Sequence, residues 1–270
     1  MSELRLGDMR EIIKEYPDEY FDCVVSDVPY KICTGGIRKS IESIEKFAKT
    51  DPSRIFNRIS NKDLKVKWLK NRNFDVDNAI LIEGGKLFTH ADIEFSEWLP
   101  EIYRVLKQDS HCYFMVNGRN LKDLQAEAEK VGFKFQNLLV WVKNNATPNR
   151  WYMQKCEFIL MLRKGRERYI NNLGMSNVFT YSNITGKKYH PTEKSVDLMK
   201  DLILNSTNEG DIVLDPFMGS GSTCLAAKEL NRKYVGIEID EKYYNIAKKR
   251  IESIFVSRGK NSEQKSLFDK

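Results

Sequence analysis

Six short apolar runs, spaced along the chain and separated by amphipathic segments, constrain the fold more than any other feature. They are FDCVVS (21–26), HCYFMV (111–116), NLLVWV (137–142), EFILML (157–162), DIVLDPF (211–217) and KYVGIEI (233–239). Runs this short and this continuously apolar suit parallel strands covered on both faces. Helix-patterned segments stand between several of them, at 94–107, 119–131, 192–205, 222–230 and 241–255, and Gly132 is a stop signal after the second. Alternating strand and helix predicts an α/β, doubly wound sheet with helices on both faces.

Two stretches break the alternation. Residues 33–90 are charge-rich and read as an insertion. Residues 163–190 are polar and read as a loop or small subdomain, with 163–188 its variable part. The expected organisation is one domain over 1–256 and a disordered tail over 257–270. No apolar run approaches the roughly 20 residues of a membrane span. The opening MSELRLGDM has no basic and apolar signal pattern, so the cytoplasm is the expected location and no membrane partner is expected. The five cysteines are scattered singly and read as reduced thiols, mostly buried. His90, His111 and His190 lack metal-ligand spacing, so no metal site is expected.

The net charge of +6 is mildly basic. Its distribution says more. Arg54 to Arg72 holds seven Lys or Arg against one acid, Asp63, and Lys143 to Arg168 holds seven against Glu157 and Glu167. Phe56, Trp68, Trp151 and Tyr152 lie among them. Cations for phosphates and rings for bases are what a nucleic-acid groove uses; the alternative is a solvated face with ordinary core aromatics.

LDPFMGSGST (214–223) follows one strand and opens a helix. Gly219 and Gly221 permit a tight turn and the close approach of a ligand to backbone, and the helix start offers unpaired N–H groups. Such a loop serves NAD, FAD or S-adenosyl-L-methionine. The third spaced glycine of a dinucleotide fingerprint is missing. The carboxylate of Asp215, next to Pro216, repels a pyrophosphate and suits a cationic ammonium or sulfonium. Glu238, 19 residues after Gly219, stands where an acid holds a ribose diol.

SDVPYKI (26–32) follows the first apolar run. If Asp27 ends a buried strand, it stands at the carboxyl edge where α/β sheets bind ligands. Pro29 restrains Val28 to extended backbone, so the Val28 carbonyl and the Asp27 carboxylate converge, with Tyr30 as a platform beside them. The bland alternative is a turn capped by an aspartate. Two acceptors beside an aromatic fit an exocyclic amino group on a nucleobase. Its lone pair is delocalised into the ring, and accepting its hydrogens favours the pyramidal, nucleophilic nitrogen. Such a base must leave the duplex to be reached.

The pair SDVPY and LDPFMGSGST, with GIEID after them, resembles the amino-group DNA methyltransferases that use S-adenosyl-L-methionine, in the permuted beta order with the catalytic motif first. LRLGDMREII (4–13) resembles the segment whose acid, here Asp8, contacts the cofactor adenine. WVKNN (141–145) with CEFILML (156–162) resembles the paired strand and hairpin. HPTEKSVDLMKDLI (190–203) resembles the segment bordering the methionine end, with Thr192 and Lys194 at matching positions. Val28 replaces the family's first proline and Ser195 another. The resemblance implies a Rossmann-like, seven-stranded sheet with the last strand antiparallel. It implies a catalytic set of Asp27, Val28, Pro29 and Tyr30. Its cofactor set is Asp8, Thr192, Lys194, Asp215, Pro216, Phe217, Gly219, Ser220, Gly221, Glu238 and Ile239.

Asp at the motif's first position implies N6 of adenine, in a bacterial protein or a phage protein acting in a bacterial host. Cytosine N4, RNA, and a catalytically weakened nucleic-acid-binding homologue are the alternatives; a nicotinamide oxidoreductase is opposed by Asp215. Double-stranded DNA is the expected partner, held by Arg54, Arg58, Lys65, Lys67 and Arg72 of the insertion and by Lys143, Arg150, Trp151 and Tyr152. A lid or homodimer surface competes for the 33–90 role. QKSLF, through Gln264, Leu267 and Phe268, resembles peptides that dock on bacterial sliding clamps.

Overall fold

The computed structural model describes residues 2–29, 93–147, 152–182 and 193–265. They belong to one unit of the chain, Met1–Tyr30 with Ile93–Lys270. Its strands are β1 Glu3–Leu6, β2 Phe21–Asp27, β3 Leu106–Val116, β4 Lys134–Thr147, β5 Gln154–Lys164, β6 Val178–Phe179, β7 Ile212–Asp215 and β8 Lys233–Glu238. Its α-helices are α1 Met9–Ile12, α2 Leu99–Val105, α3 Leu121–Val131, α4 Val196–Ser206, α5 Ser222–Glu229 and α6 Glu241–Lys265.

The strands form one sheet in the order β1-β8-β7-β2-β3-β5-β4-β6. Every pair is parallel except the two made by β5. The sheet therefore has eight described strands where seven were expected. The two-residue β6 adds itself at one edge and pairs with Val140 and Trp141. The reversed strand is also the fifth in the chain, not the last. The connection from β4 to β5 is far shorter than the dozen residues a parallel crossover needs, so the two strands must form a hairpin.

Alternate residues of each central strand feed opposite layers. Val24, Phe114, Leu160 and Leu214 pack with Ile102, Leu124 and other residues of the first helices. Cys23, Val25, Tyr113 and Ile159 pack with Leu198, Leu202 and Ala226 on the other face. Helices thus cover both faces, and each fully buried aliphatic or aromatic side chain contributes about 1.5–3 kcal/mol.

Local signals set the helix ends. Gly132, at φ +117°, terminates α3. Ser195, standing where proline was expected from the resemblance, caps α4, its Oγ accepting from Leu198 N at 3.5 Å. The segment expected as one helix over 94–107 is a 3₁₀ turn, Phe95–Glu97, followed by α2, which stops at Val105 because Leu106 joins the sheet opposite Phe21. α6 carries helical backbone through Lys265, into the stretch from 257 onward that was expected as a tail. Leu267 and Phe268 lie outside the described residues.

β2 and β7 sit side by side at the centre, and their successors β3 and β8 lie on opposite sides. That arrangement is a topological switch point, and ligands of such sheets bind beyond the carboxyl ends of the strands there.

Candidate active site

Asp27 ends β2 and Asp215 ends β7. Between them Ser26 Oγ donates to Asp215 Oδ1 at 2.7 Å, joining segments 189 residues apart. Residues 26–29 and the glycine turn therefore open on one edge of the sheet. Ser26 was not singled out by the sequence, because a serine in an apolar strand is an ordinary sight.

The turn after β7 is held from several sides. Met218 N donates to Ile237 O, Gly221 N to Met218 O, and Gly219 N to the Glu238 carboxylate at 2.8 Å. Gly219 and Gly221 both have positive φ, +52° and +77°. A Cβ on Gly221 would come within 2.9 Å of Ala247 Cβ on α6. Gly221→Ala is therefore expected to lower the free energy of unfolding by about 2–4 kcal/mol, from backbone strain plus overpacking. Urea denaturation checks this, and an alanine variant as stable as the parent would show that the turn tolerates a side chain. Arg250 of α6 adds support the sequence did not signal. It donates to Ser220 O and Ser222 Oγ and pairs with the buried Glu193 at 2.8 Å.

Glu238 accepts from Gly219 N through Oε2 and from Asp240 N through Oε1, and burial pushes its carboxyl up. β1 runs alongside, with Leu6 opposite Glu238 and Gly7 N donating to Glu238 O at 2.9 Å. This puts Asp8 next to the end of β8. Its carboxylate caps α1 and is bound by the Arg10 guanidinium at 2.6 Å, which also reaches Glu97. Pro216 is buried, Phe217 and Trp98 form a T-shaped pair with ring centroids 5.3 Å apart, and Ile239 is exposed.

Asp215 is buried, and desolvation pushes its carboxyl up to about 6, although Ser26, Thr223 and the Phe217 N–H favour the anion. An unfolded aspartate titrates near 3.9. Between about pH 4 and pH 6 the folded chain thus holds a proton that the unfolded chain has released, and stability falls as pH rises. Wild type is expected to lose more stability across that window than Asp215→Asn, read as urea midpoints at several pH values. Identical slopes for the two proteins would remove the assignment.

Lys194 reaches across to the other motif. Its Nζ lies 3.0 Å from Asp27 Oδ2 and 3.0 Å from Glu157 Oε2 on β5. Ser222 Oγ donates to its carbonyl at 3.1 Å, tying the same residue to the glycine turn. Lys143 on β4 binds the other oxygen of Glu157 at 2.9 Å. Lys143, expected among the DNA-contacting residues, is largely covered and paired with a carboxylate. Lys164, from the same basic cluster, is buried and donates to the carbonyls of Tyr103 and Leu106. These lysines count as basic in the sequence but are spent inside the fold. Tyr152 is 87% exposed at the end of the β4–β5 hairpin. Tyr30, Arg54, Arg58, Lys65, Lys67, Arg72, Arg150, Trp151 and Thr192 lie outside the described residues.

Of the four described cysteines, Cys23, Cys112 and Cys224 are buried and Cys156 is exposed. Among the described residues there is no metal-holding cluster and no helix long and apolar enough to cross a membrane. The acceptors on this edge, carboxylates at the ends of β7 and β8 flanking a positive-φ turn, suit a ligand carrying a ribose diol and a cation and oppose a pyrophosphate.

An α/β sheet with two acidic strand ends meeting at its switch point is the frame of a nucleoside-type ligand site. Comparison with known proteins narrows this. A family model described as "DNA methylase", for N6- and N4-directed enzymes, matches residues 21–179 and 173–249. The type II methyltransferase M2.DpnII of Streptococcus pneumoniae is 30% identical over 268 residues, covering 92% of this chain and 88% of its own length. M.HpaI of Haemophilus parainfluenzae is 34% identical over 189 residues, 60% of each chain. Among solved structures, a complex of M1.HpyAVI with S-adenosylmethionine is similar at a TM-score of 0.61 and 25% identity, covering 93% of this chain and 100% of the other. The cytosine-N4-specific PvuII DNA methyltransferase is similar at a TM-score of 0.61 and 16% identity, a likeness of fold alone, covering 93% and 90%. The chain belongs to the DNA methylase family of amino-group methyltransferases. The methyl donor of this family is S-adenosyl-L-methionine.

Proposed function

We propose that this chain transfers a methyl group from S-adenosyl-L-methionine to the exocyclic N6 amino group of adenine at specific sites in double-stranded DNA, with the target base turned out of the helix. The observation that carries the reading is the Ser26–Asp215 hydrogen bond, which sets Asp27 and the glycine turn at neighbouring strand ends. The donor brings an activated methyl on a sulfonium; the protein has to hold and orient. Glu238 holds the ribose diol, Asp8 faces the adenine end, and Asp215 favours the cationic end. Asp27 and the Val28 carbonyl accept the two amino hydrogens of the target, which localises the nitrogen lone pair. Asp27 also stabilises the positive charge that develops on that nitrogen and takes up its proton, directly or through water. Tyr30 stacks on the everted base.

Asp27 at the first position of the motif favours adenine over cytosine. The exposed Tyr152 and the basic residues Arg54, Arg58, Lys65, Lys67, Arg72 and Arg150 supply DNA contact in this reading, and Gln264, Leu267 and Phe268 a clamp-docking peptide. The deciding experiment incubates the protein with duplex DNA and methyl-labelled cofactor, then analyses the digested nucleosides by mass. Labelled N6-methyladenine is the expected product. Labelled N4-methylcytosine would move the target to cytosine, and cofactor binding without label in any nucleic acid would leave a binding protein.

A further inference from the structure

Four charged side chains from four separate segments meet beside the SDVPY motif. Asp27 comes from the end of β2, Lys194 from the segment ahead of α4, Glu157 from β5 and Lys143 from β4. They alternate in sign and sum to zero, with contacts of 3.0, 3.0 and 2.9 Å. Both lysine side chains are 11% exposed. We propose that Glu157 and Lys143 are positioning residues for methyl transfer: they form a clamp that retains the Lys194 ammonium when Asp27 turns to the target amino group. This rests on the function proposed above.

Asp27 has to serve two partners. Before reaction its Oδ2 is paired with Lys194. To accept a hydrogen from the target it must share or release that partner. A largely buried ammonium that lost its carboxylate would oppose the release. Glu157 removes the penalty, because it already holds the same Nζ at the same distance. Lys143 in turn keeps Glu157 anionic and fixed, so Lys194 does not wander with Asp27.

The two carboxylates are accordingly unequal. Burial pushes the Asp27 carboxyl up, Lys194 opposes that, and the Glu157 charge adds to it. Burial also pushes Glu157 up, but Lys194 and Lys143 together outweigh it and hold Glu157 below its ordinary range. The anchor stays ionised, and Asp27 is the group with proton affinity to spare. The described charged groups facing Asp27 are Lys194 and Glu157, with Lys143 behind Glu157 and Asp215 across Ser26.

The test needs variants that move Asp27 in opposite directions. In Glu157→Gln a negative neighbour of Asp27 is lost and the Lys194 ammonium keeps Asp27 as its remaining carboxylate among those described here. In Lys143→Met, Glu157 draws Lys194 away from Asp27. Full-length protein carrying carboxyl-¹³C aspartate, with the Asp27 signal assigned by Asp27→Asn, gives the midpoint without reference to turnover. The midpoint is expected to fall by about one pH unit in Glu157→Gln and to rise by about half a unit in Lys143→Met. The acid limb of the single-turnover pH–rate profile should shift the same two ways. The maximal rate should drop about 10–100-fold in Glu157→Gln, with cofactor affinity within about twofold of wild type.

Unchanged midpoints, or shifts of one sign in both variants, would overturn the clamp. Opposite midpoint shifts with unaltered pH–rate profiles would overturn the positioning role. A folded wild type that transfers no methyl would overturn the underlying function instead, while the carbon titration still decides the clamp. Should Glu157→Gln fail to fold, the upward shift in Lys143→Met decides alone.

Discussion

Asp27→Ala is expected to lower the single-turnover rate of methyl transfer by about 10³-fold or more while leaving cofactor affinity within about threefold of wild type. The side chain stands at the end of β2, and the glycine turn and Glu238 that would hold the cofactor belong to β7 and β8. Truncation should not loosen that region, because Lys194 keeps Glu157 as a partner and Ser26 keeps Asp215. What disappears is the acceptor that localises the amino lone pair and the anion that offsets charge on the nitrogen. Asp27→Asn separates these two parts. Its amide oxygen still accepts a hydrogen, but the charge is gone, so a loss of about 10–10²-fold is expected, between wild type and alanine. Rapid-quench transfer with labelled cofactor, alongside a cofactor titration, reads both quantities. Alanine at wild-type rate would mean that the amino group is not activated through this carboxylate. A variant that fails through misfolding would lose cofactor affinity along with rate.

The architecture was legible because its signals are local. FDCVVS and DIVLDPF are predominantly apolar, as strands covered on both faces tend to be, and Gly132 marks a helix end with the positive φ that other residues avoid. The parts that escaped are those set by partners distant in the chain. The reversed strand β5 looks like any other apolar run; its direction is fixed by the short connection to β4. β6 has two residues, too few to show any period. Ser26 and Glu157 carry no pattern of their own, and they matter only because Asp215 and Lys194 are folded onto them. Lys143 and Lys164 illustrate the converse. Counting charge along the chain made them part of a nucleic-acid face, whereas packing turned one toward a carboxylate and buried the other among carbonyls. Motif residues at strand ends were found because the sheet's edge is shared by construction, and no sequence spacing reports which side chains will bridge it.

Glu238→Ala is expected to raise the dissociation constant of the cofactor by about 10–150-fold, corresponding to about 1.5–3 kcal/mol for hydrogen bonds to a charged acceptor. Transfer at saturating cofactor should stay within about threefold, since the ribose hydroxyls take no part in bond making or breaking and are held equally in ground and transition states. This is the reverse of the Asp27→Ala pattern. The complication is that Glu238 also accepts from Gly219 N and Asp240 N, so alanine leaves two backbone donors to find other partners. Some of the lost affinity would then come from a loosened turn. Two measurements separate the contributions. Glu238→Gln keeps one neutral acceptor for the turn and should fall between the two, with affinity reduced about tenfold. A cofactor analogue lacking the ribose 2′-hydroxyl should bind wild type more weakly than the parent cofactor, yet bind Glu238→Ala almost as well as the parent does, because the missing contacts are the same ones. If the deoxy analogue loses equal affinity against both proteins, Glu238 does not touch the diol and its role is confined to fastening Gly219.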